Sequence, residues 1–179
     1  MKHFTEKVAP IKNMIRSKLI PRGKNVIGLP GPDMKSYINM LNNRGYIHMD
    51  FYENDREVVR RNMTYLPDIV RMNITYSFSD ILNAPVVKNT LYDLDFCARI
   101  QAVRDHINKF KDVDDMIITV SERGKKKFWS IPLFIDYMEE KYVEEYPISK
   151  NIIRFSTNKN NYRAESYCDS SQMLIITKI

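Results

Sequence analysis

The feature that most constrains the fold of this chain is a short apolar run that breaks at a glycine–proline turn. Residues 25–28 lead into Leu-Pro-Gly-Pro at 29–32, and apolar residues at helical spacing follow from 34 to 41. This order predicts a strand, a tight turn and a helix. A second apolar run, Tyr46–Tyr52, then ends at Glu53. A strand that ends in a glycine turn, beside a strand tipped by a carboxylate, is how open α/β sheets bind a nucleoside-bearing cofactor.

The rest of the chain continues to alternate strand-like and helix-like segments. Asn54-Asp-Arg-Glu57 predicts a capping box at the start of a short helix. The hydrophobic pattern predicts further helices at 98–110 and 130–142, the latter N-capped by Ser130, and further strands at 73–78, 91–96, 116–120, 151–155, 162–167 and 172–179. Only a turn fits between the last two strands, so they should form an antiparallel hairpin. We therefore expect a mainly parallel sheet with helices on both faces.

Composition is typical of a soluble globular protein. Of the 179 residues, 44% are apolar and 28% are charged. No apolar run approaches the roughly 20 residues that cross a bilayer, so no membrane association is expected. Residues 2–20 have helical spacing, which predicts a helical extension at 1–23 before one domain at 24–179. Two cysteines, no secretory signal and three scattered histidines predict a cytoplasmic protein with no metal site, in which Cys97 is a core residue.

The net charge of +6 and the isoelectric point near 9.2 favour a polyanionic partner such as nucleic acid. A genome-wide bias toward lysine would give the same numbers. The densest basic cluster directly follows the predicted strand at 116–120. Its cations suit phosphates and its tryptophan suits base stacking, so the predicted nucleic-acid contacts are Arg123, Lys125, Lys126, Lys127 and Trp129. The alternative is a solvated loop whose aromatic residues anchor it to the core.

Residues 24–179 resemble the class I S-adenosylmethionine-dependent methyltransferases. Gly28–Gly31 matches the family's glycine turn after the first strand, and Glu53 matches its ribose-binding acid after the second. Asp80 matches the acid near the adenine, and Asp93-Leu-Asp-Phe-Cys97 matches the catalytic or substrate-facing motif at the end of the fourth strand. The resemblance implies a three-layer αβα Rossmann-like fold, with a mainly parallel seven-stranded sheet and a C-terminal antiparallel hairpin.

The resemblance also implies how these residues divide between cofactor and substrate. Binding of S-adenosyl-L-methionine would involve Gly28, Leu29, Pro30, Gly31, Glu53 and Asp80. Asp95 is expected near the reacting centre with Asp93 as its partner, where it orients or deprotonates the acceptor. The residues alone leave simpler roles open. The glycines could serve only the turn, Glu53 could favour a helix start, and the two aspartates could cap the helix after Ala98.

Two functions stay open at this point. The first is a small methyltransferase of phage or virus type that acts on a nucleic acid or nucleotide-like acceptor. The second is a methyltransferase-like subunit that no longer catalyses and binds nucleic acid or a protein partner. Three departures favour the second: the family's usual acid just before the glycine turn is absent, the turn lacks a third glycine, and the Asp/Asn-Pro-Pro-Tyr motif of amino-methylating enzymes is absent. Because no separate target-recognition domain is evident, a partner chain could supply specificity.

Overall fold

The structure is a computed structural model that describes residues 14, 15, 18, 24–29, 48–65, 73–123, 126–167 and 173–179. These residues form one sheet with helices on both faces. The strands are β1 (Asn25–Gly28), β2 (Met49–Tyr52), β3 (Ile74–Ser77), β4 (Thr90–Arg99), β5 (Asp115–Ser121), β6 (Tyr142–Ser149), β7 (Ile152–Thr157), β8 (Asn161–Tyr167) and β9 (Met173–Lys178). The helices are α1 (Arg56–Tyr65), α2 (Arg104–Lys109) and α3 (Ile131–Tyr137), with 3₁₀ turns at Ile81–Asn83 and Ile100–Val103.

The sheet has a parallel half and an antiparallel half. Its strand order is β3-β2-β1-β4-β5-β9-β8-β7-β6. Strands β1 to β5 are mutually parallel, whereas β9 runs against β5 and each strand beyond it alternates in direction. The chain leaves β1 toward β2 and β3 on one side and returns as β4 and β5 on the other. This reversal makes a crevice at the carboxyl ends of β1 and β4, where ligands bind in open α/β sheets.

Alternate residues of each strand point to opposite faces of the sheet. The α2–α3 face carries the larger core, in which Ile27, Tyr92, Ile118 and Ile176 are at most 3% exposed. Helix α1 covers the other face, since Asn62 Nδ2 donates a 2.9 Å hydrogen bond to the hydroxyl of Tyr76 on β3. Helices on both faces confirm the predicted three-layer architecture.

The sheet has nine strands within the described residues, whereas the resemblance implied seven and the hydrophobic pattern predicted eight, and it also differs from the prediction in its balance. Four of the eight adjacent strand pairs are parallel and four are antiparallel, so the sheet is mixed. The strand that the sequence did not predict is β6. All eight of its residues are exposed and it contains Pro147, so it shows neither the alternation nor the composition by which a strand is predicted.

The helix predicted at 130–142 is also shorter than expected. Helix α3 ends at Tyr137, and Glu139 follows with a positive φ of 55°. The N–H of Glu139 donates to the carbonyl of Asp136, and the N–H of Glu140 donates to that of Ile135. This is the Schellman arrangement that glycine usually closes. Because glutamate occupies the left-handed position, no glycine indicated the end of the helix.

The helix predicted from 98 to 110 begins later than expected, because β4 continues to Arg99 and a 3₁₀ turn precedes α2. Met14, Ile15 and Lys18 are helical, in agreement with the predicted N-terminal helix, and Ile15 is buried. Several predictions lie outside the described residues. They concern the other residues of the predicted N-terminal helix, the helix predicted after Gly31, the residues Pro30, Gly31 and Lys125, and the side chain of Cys97. None of the described helices combines the length and apolar character that a transmembrane helix requires.

Candidate active site

The crevice between β1 and β4 brings together the glycine turn and the acidic pair of β4. Gly28 lies directly opposite Asp93 in the parallel register, and the N–H of Leu29 donates to the carbonyl of Asp93 over 3.2 Å. Side chains in register on parallel strands point to the same face. Glycine therefore leaves space beside the Asp93 carboxylate that a Cβ atom would fill.

Asp93 and Asp95 share the α1 face of the sheet but differ in exposure. Asp93 is fully buried, whereas Asp95 is half-buried and lies opposite Thr119 at the carboxyl end of β5. Leu94 between them points into the core of the α2–α3 face and is also fully buried. Of the two carboxylates, Asp95 is thus closer to the rim of the sheet, where a substrate has access.

Glu53 directly follows β2, and its main chain and its carboxylate both make hydrogen bonds in the turn after this strand. Its N–H donates to the carbonyl of Ser77 over 3.1 Å, and its Oε1 accepts a 2.9 Å hydrogen bond from the N–H of Asp55. No described residue is within hydrogen-bond distance of Oε2, so one carboxylate oxygen is available to a ligand. The carboxylate also lies close to Tyr76: burial, opposed by the hydrogen bond from Asn62 and aided by the charge of Glu53, raises the pKa of Tyr76 to about 12.

The N-cap of α1 is Asp55 and not Asn54, which corrects the predicted capping box by one residue. Asp55 Oδ1 accepts from the N–H groups of Glu57 and Val58, at 2.9 and 3.4 Å. Asn54 instead turns its amide toward the next strand end, where Nδ2 donates to Asp80 Oδ2 over 3.4 Å. Asp55 therefore caps α1, and Glu53 lies before the helix and does not cap it.

The carboxylate of Asp80 contacts residues of three different segments of the chain. Its Oδ1 caps the 3₁₀ turn at Ile81–Asn83 through the N–H of Leu82, at 2.8 Å, and also lies 3.2 Å from Nε2 of His106 on α2. The His106 ring packs edge-on against Phe96 of β4, with centroids 5.0 Å apart. Partial burial alone would raise the pKa of Asp80, but the hydrogen bond from Leu82 and the proximity of His106 together hold it below its usual value.

The loop after β5 is organised by Glu122, a residue that the sequence analysis did not single out. Its carboxylate is fully buried and accepts from the N–H of Phe128 at 2.9 Å and from the N–H and hydroxyl of Ser130 at 3.3 and 2.7 Å. Phe128 adopts a positive φ of 64°. Ser130 is at the predicted N-cap of α3, yet its hydroxyl donates to Glu122 and caps nothing. The available signal was an acid directly after the most strand-like run of the chain.

Of the predicted basic cluster, Arg123 and Lys126 are exposed and Lys127 is half-buried. Lys127 Nζ donates to the side-chain oxygen of Asn151, which lies in the turn between β6 and β7. Trp129 is half-buried against the core, and its Nε1 donates to the carbonyl of Glu122 over 3.3 Å. The cations therefore face solvent while the tryptophan anchors the loop.

His106 and Asn54 are further site residues that sequence patterns did not identify. Both contact Asp80 from other elements; the sequence singled out Asn54 only as a helix cap, and His106 belongs to no recognisable motif. Among the described residues, no cluster of three or more His, Cys, Asp or Glu side chains could hold a metal ion.

The sequence matches no protein-family model and none of the curated proteins with which it was compared. Solved structures do match. A Pyrococcus horikoshii protein proposed to be an RNA methyltransferase aligns with a TM-score of 0.63 at 15% identity, over 98% of this chain and 85% of that one. A Streptococcus pneumoniae protein proposed to be a tRNA (m1A22) methyltransferase, crystallised with S-adenosyl-L-methionine, aligns with a TM-score of 0.62 at 6% identity, over 94% and 72% of the two chains.

TYW2 from M. jannaschii, in complex with AdoMet, aligns with a TM-score of 0.58 at 9% identity, over 98% of this chain and 77% of its own. Identities this low establish the fold and leave the activity to be argued from the site. The resemblance drawn from the sequence is confirmed at this level: the chain has the Rossmann-like fold of the class I S-adenosylmethionine-dependent methyltransferases.

Proposed function

We propose that this protein is an S-adenosylmethionine-dependent methyltransferase that acts on nucleic acid. The observation that carries the proposal is that Gly28, Glu53 and Asp80 lie at or just after the carboxyl ends of three adjacent parallel strands, on the side of the sheet where Asp93 and Asp95 also lie. Two of the solved structures named above, from Pyrococcus horikoshii and Streptococcus pneumoniae, are proposed RNA and tRNA methyltransferases, which favours RNA as the substrate class.

The residues present fit the cofactor. The space beside Gly28 suits a ligand that approaches the main chain closely. Oε2 of Glu53 suits a ribose hydroxyl, and such a hydrogen bond to a charged group contributes roughly 1.5–3 kcal/mol. Asp80 is held in place by Leu82 and His106 and is partly exposed, so that it can accept from an exocyclic amine. When bound, S-adenosylmethionine would supply an activated methyl group.

The chain's own contribution to the reaction would centre on Asp95. Its half-buried carboxylate would accept a hydrogen bond from the N–H or O–H of the acceptor, and so fix its orientation. The same oxygen would take up the proton that the acceptor loses. Arg123 and Lys126, on the loop after the neighbouring strand β5, would attract the phosphates of the substrate.

Calorimetric titration with S-adenosylmethionine and with S-adenosylhomocysteine tests the cofactor site. We expect saturable binding by the wild type and 10- to 100-fold weaker binding by Glu53→Gln, the loss that corresponds to one charge-assisted hydrogen bond. Glu57→Gln is the matched control, because Glu57 is exposed on α1 and pairs with Arg60. An absence of binding by the folded wild type would refute the proposal.

A second reading, a subunit that binds nucleic acid without catalysing, draws on the complete burial of Asp93. Transfer of a tritiated methyl group to unfractionated tRNA separates the two. Catalysis predicts incorporation that falls at least 100-fold in Asp95→Asn with cofactor affinity retained, the size typical of losing a general base. Binding of tRNA with neither cofactor affinity nor incorporation would favour the second reading.

A further inference from the structure

The turn between β6 and β7 lies at the same end of the strands as the candidate site, which is the carboxyl end of β4 and β5. One row of residues that lie opposite each other on neighbouring strands crosses the sheet here. It runs from Ile152 through Glu165, Ile175 and Thr119 to Asp95. Four strand spacings of about 4.8 Å separate the ends of this row, roughly 19 Å in all. The β6–β7 hairpin, which the sequence analysis did not predict, therefore extends the rim outward from Asp95.

Hydrogen bonds fix this turn to its neighbours. The side-chain oxygen of Asn151 accepts from Lys127 Nζ, in the loop after β5. The carbonyl of Asn151 accepts from the N–H of Ser166 over 2.9 Å, near the end of β8. The basic loop and the hairpin turn thus form one continuous surface, which we call the basic rim, comprising Lys126, Lys127, Lys150 and Arg154.

The cations of the basic rim have no acidic partner in the part of the chain that the structure describes. Among the described residues, no carboxylate lies within ion-pair distance of any of the four, whereas Arg60, Lys111 and Arg163 each pair with a glutamate. Arg154 also lies directly opposite Arg163 across the β7–β8 ladder. Like charges in that position destabilise a sheet, and because Glu165 pairs with Arg163 alone, an anion bound beside Arg154 would relieve the remaining repulsion.

Strand β6 leads to this turn with apolar side chains in solvent. Tyr146 is 47% exposed and Ile148 is 56% exposed. An aromatic ring beside cations that no described carboxylate pairs with suits a nucleic-acid strand, since bases stack on the ring while phosphates meet the charges. Glu144 and Glu145 occupy the middle of β6, so the positive potential is concentrated at the turn.

We infer that the β6–β7 hairpin binds the phosphate backbone of the nucleic-acid substrate and so extends the substrate site beyond the loop after β5. The inference rests on the proposed function in taking nucleic acid as the substrate. It differs from the sequence prediction by assigning contacts to Lys150 and Arg154.

Charge reversal in the turn of the hairpin and on strand β7 tests this assignment. Binding of a short fluorescein-labelled RNA stem-loop is followed by fluorescence anisotropy over a range of salt concentrations. We expect Lys150→Glu/Arg154→Glu to weaken binding roughly tenfold at low salt and to lower the slope of log K against log salt by about 1 to 2. Lys141→Glu/Lys159→Glu is the matched control, since it makes the same charge change near the opposite edge of the sheet.

Affinity for S-adenosylmethionine, measured on the same samples, separates this inference from the proposed function. Weaker RNA binding with unchanged cofactor affinity and unchanged urea midpoint supports the hairpin contact, and the milder Lys150→Ala should show the same direction. RNA binding equal to that of the wild type, or equal losses in both double variants, would overturn the inference even if the cofactor binds. Loss of cofactor binding by the wild type would instead refute the proposed function.

Discussion

Two glutamates are buried at opposite ends of the strands, and their carboxylates accept hydrogen bonds from different kinds of donor. Glu122, after β5, accepts from the main-chain N–H groups of Phe128 and Ser130 and from one hydroxyl. Among the described residues, Glu140, before β6, accepts only from side chains, which belong to Thr157, Asn160 and Tyr162. A main-chain N–H can only donate, whereas a hydroxyl can reverse and accept. The carboxylate is therefore required at position 122 and replaceable at position 140.

The largest effect is expected from Glu122→Gln. Either orientation of the amide would place its NH₂ group against a buried main-chain N–H, that of Phe128 or that of Ser130. The variant loses a charge-assisted hydrogen bond and leaves a buried donor unsatisfied, so we expect a loss of about 3 kcal/mol in the free energy of unfolding. Urea denaturation measures it, and a loss below about 1 kcal/mol would show that the loop adapts.

Glu140 should respond differently to the same change. In Glu140→Gln, the amide can donate to Thr157 Oγ1 while that hydroxyl donates to the carbonyl of Asn160, 3.0 Å away. The expected loss is under about 1 kcal/mol, whereas Glu140→Leu, which leaves the Tyr162 hydroxyl without its acceptor, should cost about 2 kcal/mol. Hydrogen exchange should localise the loss in Glu140→Leu to β7 and β8. Equal losses of unfolding free energy in Glu140→Gln and Glu140→Leu would contradict this expectation.

Glu53 of the candidate site differs from this buried pair in how much of its hydrogen-bonding capacity the described residues use. Glu53 uses one oxygen in its own turn, and its second oxygen has no partner among the described residues. We therefore expect Glu53→Gln to affect ligand binding much more than stability. A carboxylate saturated by protein donors acts as a structural element, and one with an unused oxygen at a strand end is a candidate for ligand binding.

The sequence predicted the parallel half of the sheet and the positions of its terminal acids, because buried strands and glycine turns have strong patterns. It did not predict β6, whose eight residues are all exposed, nor the end of α3, where Glu139 occupies a position usually held by glycine. The contacts of Asp80 with Asn54 and His106 depend on the approach of three separate elements. No local pattern in the chain encodes such contacts.

The smallest effect is expected from Asp80→Asn, and it should depend on pH. The pKa of Asp80 in the folded protein lies below its usual value of 3.8. A depressed pKa contributes stability that is present above pH 3.8 and is lost as the pH falls through the lower folded value. Asn caps a helical turn as well as Asp, and the carboxylate is 41% exposed, so solvent screening limits the contribution to less than about 1 kcal/mol.

The difference in unfolding free energy between wild type and Asp80→Asn should therefore shrink as urea titrations move from pH 6 toward pH 3. Asp114→Asn, an exposed acid before β5, is the control and should show no comparable trend. A difference that grows on acidification would mean that the neutral form of Asp80 is the one stabilised by its neighbours. That result would also remove the reason to treat Asp80 as an anionic acceptor in the candidate site.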